Sequence, residues 1–122
     1  MSEGTSNEGR RFKRWDVFEY ALITPEGESS PEPSVIVDLS LGGIQVRGRK
    51  QYSPGSMVVI TIAQDGDKRI TTSAEVRYSY VMEESDLFAT GFKFVPANME
   101  QRVELVNFIH HRFQEGIQQQ SA

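Results

Sequence analysis

The residues 69–80, RITTSAEVRYSY, constrain the fold more than any other stretch. Ile70, Thr72, Ala74, Val76, Tyr78 and Tyr80 share one parity, and Arg69, Thr71, Ser73, Glu75, Arg77 and Ser79 share the other. Strict alternation over this length is the pattern of a β-strand with one face toward a core. Before it lies MVVITIA, Met57 to Ala63, a second strand, and the Gln64-Asp65-Gly66-Asp67 between them reads as a hairpin loop because Asp-Gly tolerates positive φ. After it, Glu83-Glu84-Ser85-Asp86 makes a turn into Leu87–Val95, with Phe88, Phe92 and Phe94 on one face.

Three more strands precede this unit. Val17, Glu19, Ala21 and Ile23 alternate with Phe18, Tyr20 and Leu22, a strand buried on much of both faces. Thr24 to Pro33 is an acidic loop rich in Pro, Gly and Ser. Strand two then runs Val35–Leu39 and strand three Ile44 to Val46 or Arg47, with Pro54-Gly55 marking a later turn. At the other end, Pro96 stops the last strand, Asn98 caps a helix and Gln101 completes a capping box. Met99, Val103, Val106, Ile109, Phe113 and Ile117 give that helix an apolar stripe; Leu105 and Phe108 fall off it and either widen the core face or mark a partner contact. The fold expected is all-β with a C-terminal helix: a small six-stranded antiparallel barrel with one helix packed on it. In domain terms, residues 1–9 read as a disordered tail, 10–14 as an arm, 15–95 as the barrel, 98–115 as the helix and 116–122 as a frayed end.

With 122 residues the chain suits one domain. It has no cysteine, which excludes thiol catalysis, thiolate metal sites and disulfides. Its two histidines are adjacent, His110 and His111, so a His-based metal site or catalytic triad has little to draw on. No apolar run reaches membrane-spanning length and the N-terminus lacks the apolar core of a signal peptide, so a cytoplasmic location is expected. No nucleophile–base–orienter set is visible, and Asp38 and Glu75 are weak candidates for paired carboxylates, so an enzyme is not expected and no cofactor is implied.

Two stretches remain unexplained by folding. RRFKR, Arg10 to Arg14, holds four cations in a chain of net charge −4; without those four, 9 positive residues face 17 negative ones, a net of −8. Such a remainder argues against a broad DNA- or RNA-binding surface, and the cluster argues for something small and anionic bound at one place. DLSLGG, Asp38 to Gly43, spends more turn-type residues than a plain turn needs. Asp38 and Ser40 are two apart and share a face, and Gly43 lets the backbone turn or a ligand approach.

Together these suit a guanine nucleotide. Arginine donates to phosphate, or to guanine O6 and N7, and stacks on a purine. Aspartate accepts from the guanine amino group and ring N–H. An Arg-x3-Arg pair alone arises by chance in about one chain in three of this length. Joined to Asp-x-Ser-x-x-Gly, each abutting a strand, it is far more specific.

On these motifs, with the ATGFKFV strand and the closing helix, the chain resembles single-domain PilZ proteins, bacterial receptor modules for cyclic di-GMP. The resemblance covers about Arg10 to Phe113. It implies that Arg10 and Arg14 clamp guanines and phosphates, with Arg11 an extra cation beside them, and that Asp38, Ser40 and Gly43 line the barrel-side wall. It implies a role in signalling, such as control of motility or biofilm, through a protein partner it does not identify. Two other readings stand beside it. One is an interaction adaptor on the same fold that binds no nucleotide, against which both intact motifs count. The other is a single-stranded nucleic-acid module, against which the acidic remainder and the placement of aromatics in alternating strands count.

Overall fold

A computed structural model describes residues 20–63 and 69–121. Six strands close into an antiparallel barrel: β1 (Tyr20–Pro25), β2 (Glu32–Leu39), β3 (Gly43–Gly48), β4 (Met57–Ala63), β5 (Arg69–Val81) and β6 (Phe88–Phe94). The order around the barrel is β1-β2-β3-β6-β5-β4, and β4 pairs with β1 to close it. Helix α1 (Met99–Ser121) follows and packs on β5. This is the architecture expected from the alternation.

The barrel interior is filled from every strand. Ala21, Ile23, Val46, Val58, Ile60, Ile62, Ala74 and Val76 are buried, with Phe92 and Phe94 closing the core from β6. β-branched side chains dominate because they pack well on a pleated surface. β1 buries one face rather than both: Ala21 and Ile23 point in, while Tyr20 is exposed. The expected first half of that strand, the arm (Arg10, Arg11, Arg14) and the Asp65-Gly66 hairpin lie outside the described residues. β2 begins at Glu32, inside what the composition marked as loop, because Leu22 pairs with Pro33 and Ile23 with Glu32. Proline is tolerated this near a strand's first residue.

Two departures from alternation position everything that follows. On β2, Ile36 pairs with Val46 and Asp38 with Gln45, so Val37 is an extra residue, a β-bulge. On β5, Val76 pairs with Phe92 and Tyr78 with Gly91, so Arg77 is a second. Each bulge reverses the parity of what comes after it. On β5, Ile70, Thr72, Ala74 and Val76 face inward, but past Arg77 it is Ser79 that turns in, and Tyr78 and Tyr80 swing out. The single inward face expected from Ile70 through Tyr80 is therefore corrected at its last two members. Inside, the Ser79 hydroxyl sits 2.8 Å from that of buried Thr90 and accepts the Tyr52 N–H at 3.1 Å. Tyr52 packs edge-on against Phe92. Burial first, then the charges of Glu32 and Glu28, push its hydroxyl up to about 12, which keeps it neutral.

The capping box forms with one change. Asn98 Oδ1 accepts the Gln101 N–H at 2.9 Å, while Gln101 Oε1 accepts from Ala97 N–H at 2.9 Å and from Ser73 N–H of β5 at 3.4 Å. Gln101 thus both caps the helix and fastens it to the barrel. Asn98→Ala is expected to cost about 1 kcal/mol, read as a lower urea midpoint with unchanged slope. The face that packs keeps one member of the expected stripe, Ile109, and adds Leu105 and Phe108, which widen the core face. Leu105 and Ile109 are buried and Phe108 half-buried against the core, whereas Met99, Val103 and Val106 point away. Burying Leu105 and Ile109 contributes about 1.5–3 kcal/mol each. The helix also continues through Gly116 to Ser121, past the expected end at 115. Among the described residues, no helix is long and apolar enough to cross a membrane, and no three potential metal ligands cluster.

Candidate functional site

Across the outer surface of β2, β3, β6 and β5 lies an open groove of about 210 Å³. Asp38, Ser40, Gln45, Arg77 and Tyr78 line it, and Gly43, Ile44, Gly91 and Phe92 form its floor. The two bulges stand on its opposite sides. Without the extra residue at Val37, the inward series Ser34, Ile36 would continue to Asp38 and bury a carboxylate. With it, Leu39 takes the inward place beside Ile44, and Asp38 and Ser40 both face solvent. The same step at Arg77 presents Arg77 and Tyr78 from the far side. Bulges commonly re-aim side chains in this way beside binding sites.

The loop between β2 and β3 is a tight turn. The Ser40 N–H donates to the Gly43 carbonyl at 2.9 Å, and the Ser40 hydroxyl reaches the same oxygen at 3.4 Å. The longer bond is weak, so the hydroxyl retains capacity for another partner. Gly43 has a specific reason to be glycine: a Cβ there would run into the carbonyl oxygen of Phe92 on the paired strand. Its requirement comes from strand–strand approach rather than from a turn. Gly91 plays a related part, because a Cβ there would collide with the Tyr78 ring. The ring lies over Gly91, held by a 2.8 Å hydrogen bond from Gln45 Nε2 to the Tyr78 hydroxyl and stacked on Tyr80 at 5.8 Å between centroids.

The structure therefore brings together Asp38, Ser40 and Gly43 in one groove. Glu75 does not line it. Arg10, Arg11 and Arg14 lie outside the described residues. Gln45, Arg77, Tyr78 and Gly91 are site residues that the sequence reading passed over. One signal pointed to them: an isolated glycine inside an apolar strand, Gly91 in FATGFKF, marks a close approach. The outward tyrosines also weaken one argument made from sequence. Tyr20, Tyr78 and Tyr80 are exposed, so placement in alternating strands does not by itself exclude stacking on a base.

The arrangement offers an anionic acceptor, a hydroxyl, a guanidinium and an aromatic face within one open concavity. That set suits a planar, hydrogen-bonding, negatively charged ligand.

Comparison with known proteins agrees on the fold. Similar solved structures include the Bacillus subtilis inhibitor of motility MotI/DgrA, at 19% identity and TM-score 0.59, covering 82% of this chain and 49% of that one. K. pneumonia MrkH in its apo state aligns at 14% identity and TM-score 0.65, covering 84% and 49%. The PilZ domain of YcgR from Escherichia coli, solved with c-di-GMP, aligns at 16% identity and TM-score 0.60, covering 84% and 88%. The chain thus spans about half the length of the first two. No curated protein matches the sequence. The family model described as PilZ domain matches residues 8–111, a span that takes in the arginine cluster, all six strands and the barrel-facing part of α1. With that match over most of its length, and the barrel, groove and closing helix in place, the chain belongs to the PilZ domain family.

Proposed function

We propose that this protein is a receptor for cyclic di-GMP that passes the signal to a protein partner. The observation that carries the reading is Asp38, turned outward by its bulge into a groove that also holds Ser40, Arg77 and Tyr78. A carboxylate there accepts from the guanine amino group and ring N–H, and no phosphate offers those donors. Tyr78 offers a stacking face and Arg77 a charge for phosphate. Family membership supports the ligand class, as does the YcgR domain solved with c-di-GMP on the same fold.

The groove is smaller and more open than the roughly 300–1,000 Å³ of enclosed small-molecule sites. A cyclic dinucleotide lying in it needs a second wall. Arg10, Arg11 and Arg14 supply that wall in this account, contacting phosphates and guanines while the barrel contacts the other face. A cluster of four cations repels itself until a dianion offsets part of its charge. Ligand binding then orders the segment, and the charged contacts offset the entropy lost. The composite surface of ligand, arm and barrel edge is what the partner recognises. Amide hydrogen exchange over residues 8–16 should slow at saturating cyclic di-GMP; unchanged exchange would remove the ordering step.

Base recognition is tested at Asp38. Asp38→Asn keeps the shape and replaces one acceptor by a donor. Cyclic di-GMP affinity should fall by about tenfold. Selectivity over cyclic di-AMP should narrow with it, because a site built on a hydrogen bond rejects analogues that lack the group. Equal wild-type binding of the two nucleotides, measured by calorimetry, would show that Asp38 does not read guanine.

A further inference from the structure

One register row crosses the groove. Asp38 pairs with Gln45, Gln45 with Gly91 and Gly91 with Tyr78, so the four stand side by side across β2, β3, β6 and β5. Neighbouring strands lie about 4.8 Å apart. Gly91 carries no side chain, and the Tyr78 ring folds back over it toward β3. The ring is steadied by stacking on Tyr80. Its hydroxyl therefore stands not at the far wall but in the middle of the groove, 2.8 Å from Gln45 Nε2, and the strand of Gln45 is next to that of Asp38.

The direction of that hydrogen bond decides what the hydroxyl offers a ligand. A tyrosine hydroxyl has one proton to donate and an oxygen that accepts. The Gln45 side-chain amide donates to the oxygen, so the proton is left for another partner. Asp38 has the opposite character, because a carboxylate offers acceptors alone. The row thus presents an acceptor at Asp38 and a donor at Tyr78, with Gln45 between them.

Guanine carries the matching edge. Its O6 accepts, its N1–H and 2-amino group donate, and the two ends are about one strand spacing apart. Adenine has an amino donor where guanine has O6, and a bare ring nitrogen where guanine has N1–H. In the same place it would set donor against donor and acceptor against acceptor.

We propose that Tyr78 is a specificity-determining residue: its hydroxyl, oriented by Gln45, donates to guanine O6 while Asp38 accepts from the other end of the same edge. The inference rests on the receptor reading above and deepens it. Gln45 is a positioning residue, because it acts through Tyr78.

The test is calorimetric titration of the full chain with cyclic di-GMP and with cyclic di-AMP, read as the ratio of the two dissociation constants. Tyr78→Phe keeps the ring, and any stacking on it, and removes only the hydroxyl. The preference for cyclic di-GMP should fall by about tenfold. Gln45→Glu keeps the length of the side chain and reverses the hydrogen bond, since a carboxylate accepts the tyrosine's proton and leaves lone pairs facing the ligand. Its added charge weakens both dianions alike, so the ratio isolates the reversed hydroxyl and should fall at least as far. In the Tyr78→Phe background, Gln45→Glu should leave the ratio where it was, the non-additivity of residues that act through one another. A wild-type ratio in Tyr78→Phe would overturn the proposal and leave O6 to Arg77, with the receptor reading intact. A wild-type ratio in Gln45→Glu, or the same fall with and without the Tyr78 hydroxyl, would overturn the positioning role. A wild type that binds neither nucleotide would overturn the receptor reading and this inference with it.

Discussion

Replacing Arg10 and Arg14 together by alanine is expected to weaken cyclic di-GMP binding by at least roughly 100-fold while leaving the barrel folded. A hydrogen bond to a charged group contributes about 1.5–3 kcal/mol. One such bond lost from each arginine therefore amounts to about 3–6 kcal/mol, two decades or more in the dissociation constant. The fold should be spared because, among the described residues, the barrel already closes through β1–β4 pairing. Calorimetric titration and a thermal melt of the same variant read both halves of the statement. Wild-type affinity would remove the arginines from the site, and a collapsed melting temperature would give them a structural role instead. The single variants should each lose part of the effect. Arg11→Ala shows whether the extra cation substitutes for Arg10.

Gly43→Ala is expected to produce the largest loss of stability among changes in the groove. The new Cβ meets the Phe92 carbonyl, which is backbone in a paired strand and has no rotamer through which to move away. Overpacking of this kind costs about 1–3 kcal/mol or more, and this site belongs at the upper end. For a domain of about 100 residues a cost of about 3 kcal/mol lowers the melting temperature by roughly 10–20 °C. Ligand binding should weaken as well, but as a consequence of β3 separating from β6. The two contributions separate experimentally: at a temperature where the variant is folded, its affinity should recover most of the wild-type value. A variant that melts like the wild type yet does not bind would mean that Gly43 is needed by the ligand rather than by the sheet.

This changes what the DLSLGG motif means physically. Its second glycine, Gly43, serves the sheet, its serine closes a turn with that glycine while facing solvent, and its aspartate is presented outward with no hydrogen bond to the turn. The motif functions through a bulge that it does not spell out. Val35, Ile36 and Val37 are all β-branched and apolar, so no contrast in the sequence marks the residue at which parity changes. The bulge at Arg77 is hidden more thoroughly. Tyr78 and Tyr80 continue the apolar parity of Ile70 to Val76, and Ser79 continues the polar one, so the alternation reads through the break without interruption. What reverses it lies on another strand, where Gly91 leaves room for the Tyr78 ring. The barrel, the number of its strands and the helix cap were legible because they follow from local periodicity and local hydrogen bonding. The groove's far wall was not, because it depends on pairing between residues distant in sequence.

The helix teaches the same lesson with a different outcome. Periodicity identified a stripe through Met99, Val103, Val106 and Ile109, and of these four Ile109 meets the barrel, joined by Leu105 and Phe108, while the other three point away. A helix apolar on two faces gives two valid solutions to a search for one. Only the fastening of Gln101 to Ser73 and the burial of Leu105 decide which faces the sheet.

The central claim is that the groove beside Asp38, together with the arginine cluster, binds cyclic di-GMP. Isothermal titration of the full chain with cyclic di-GMP, against GMP and a short single-stranded oligonucleotide, tests it most directly. The account predicts saturable heat with cyclic di-GMP, abolished by the double arginine variant, and none of comparable affinity with GMP or the oligonucleotide. Absence of cyclic di-GMP binding by the folded wild type, or tighter binding of the oligonucleotide, would contradict it.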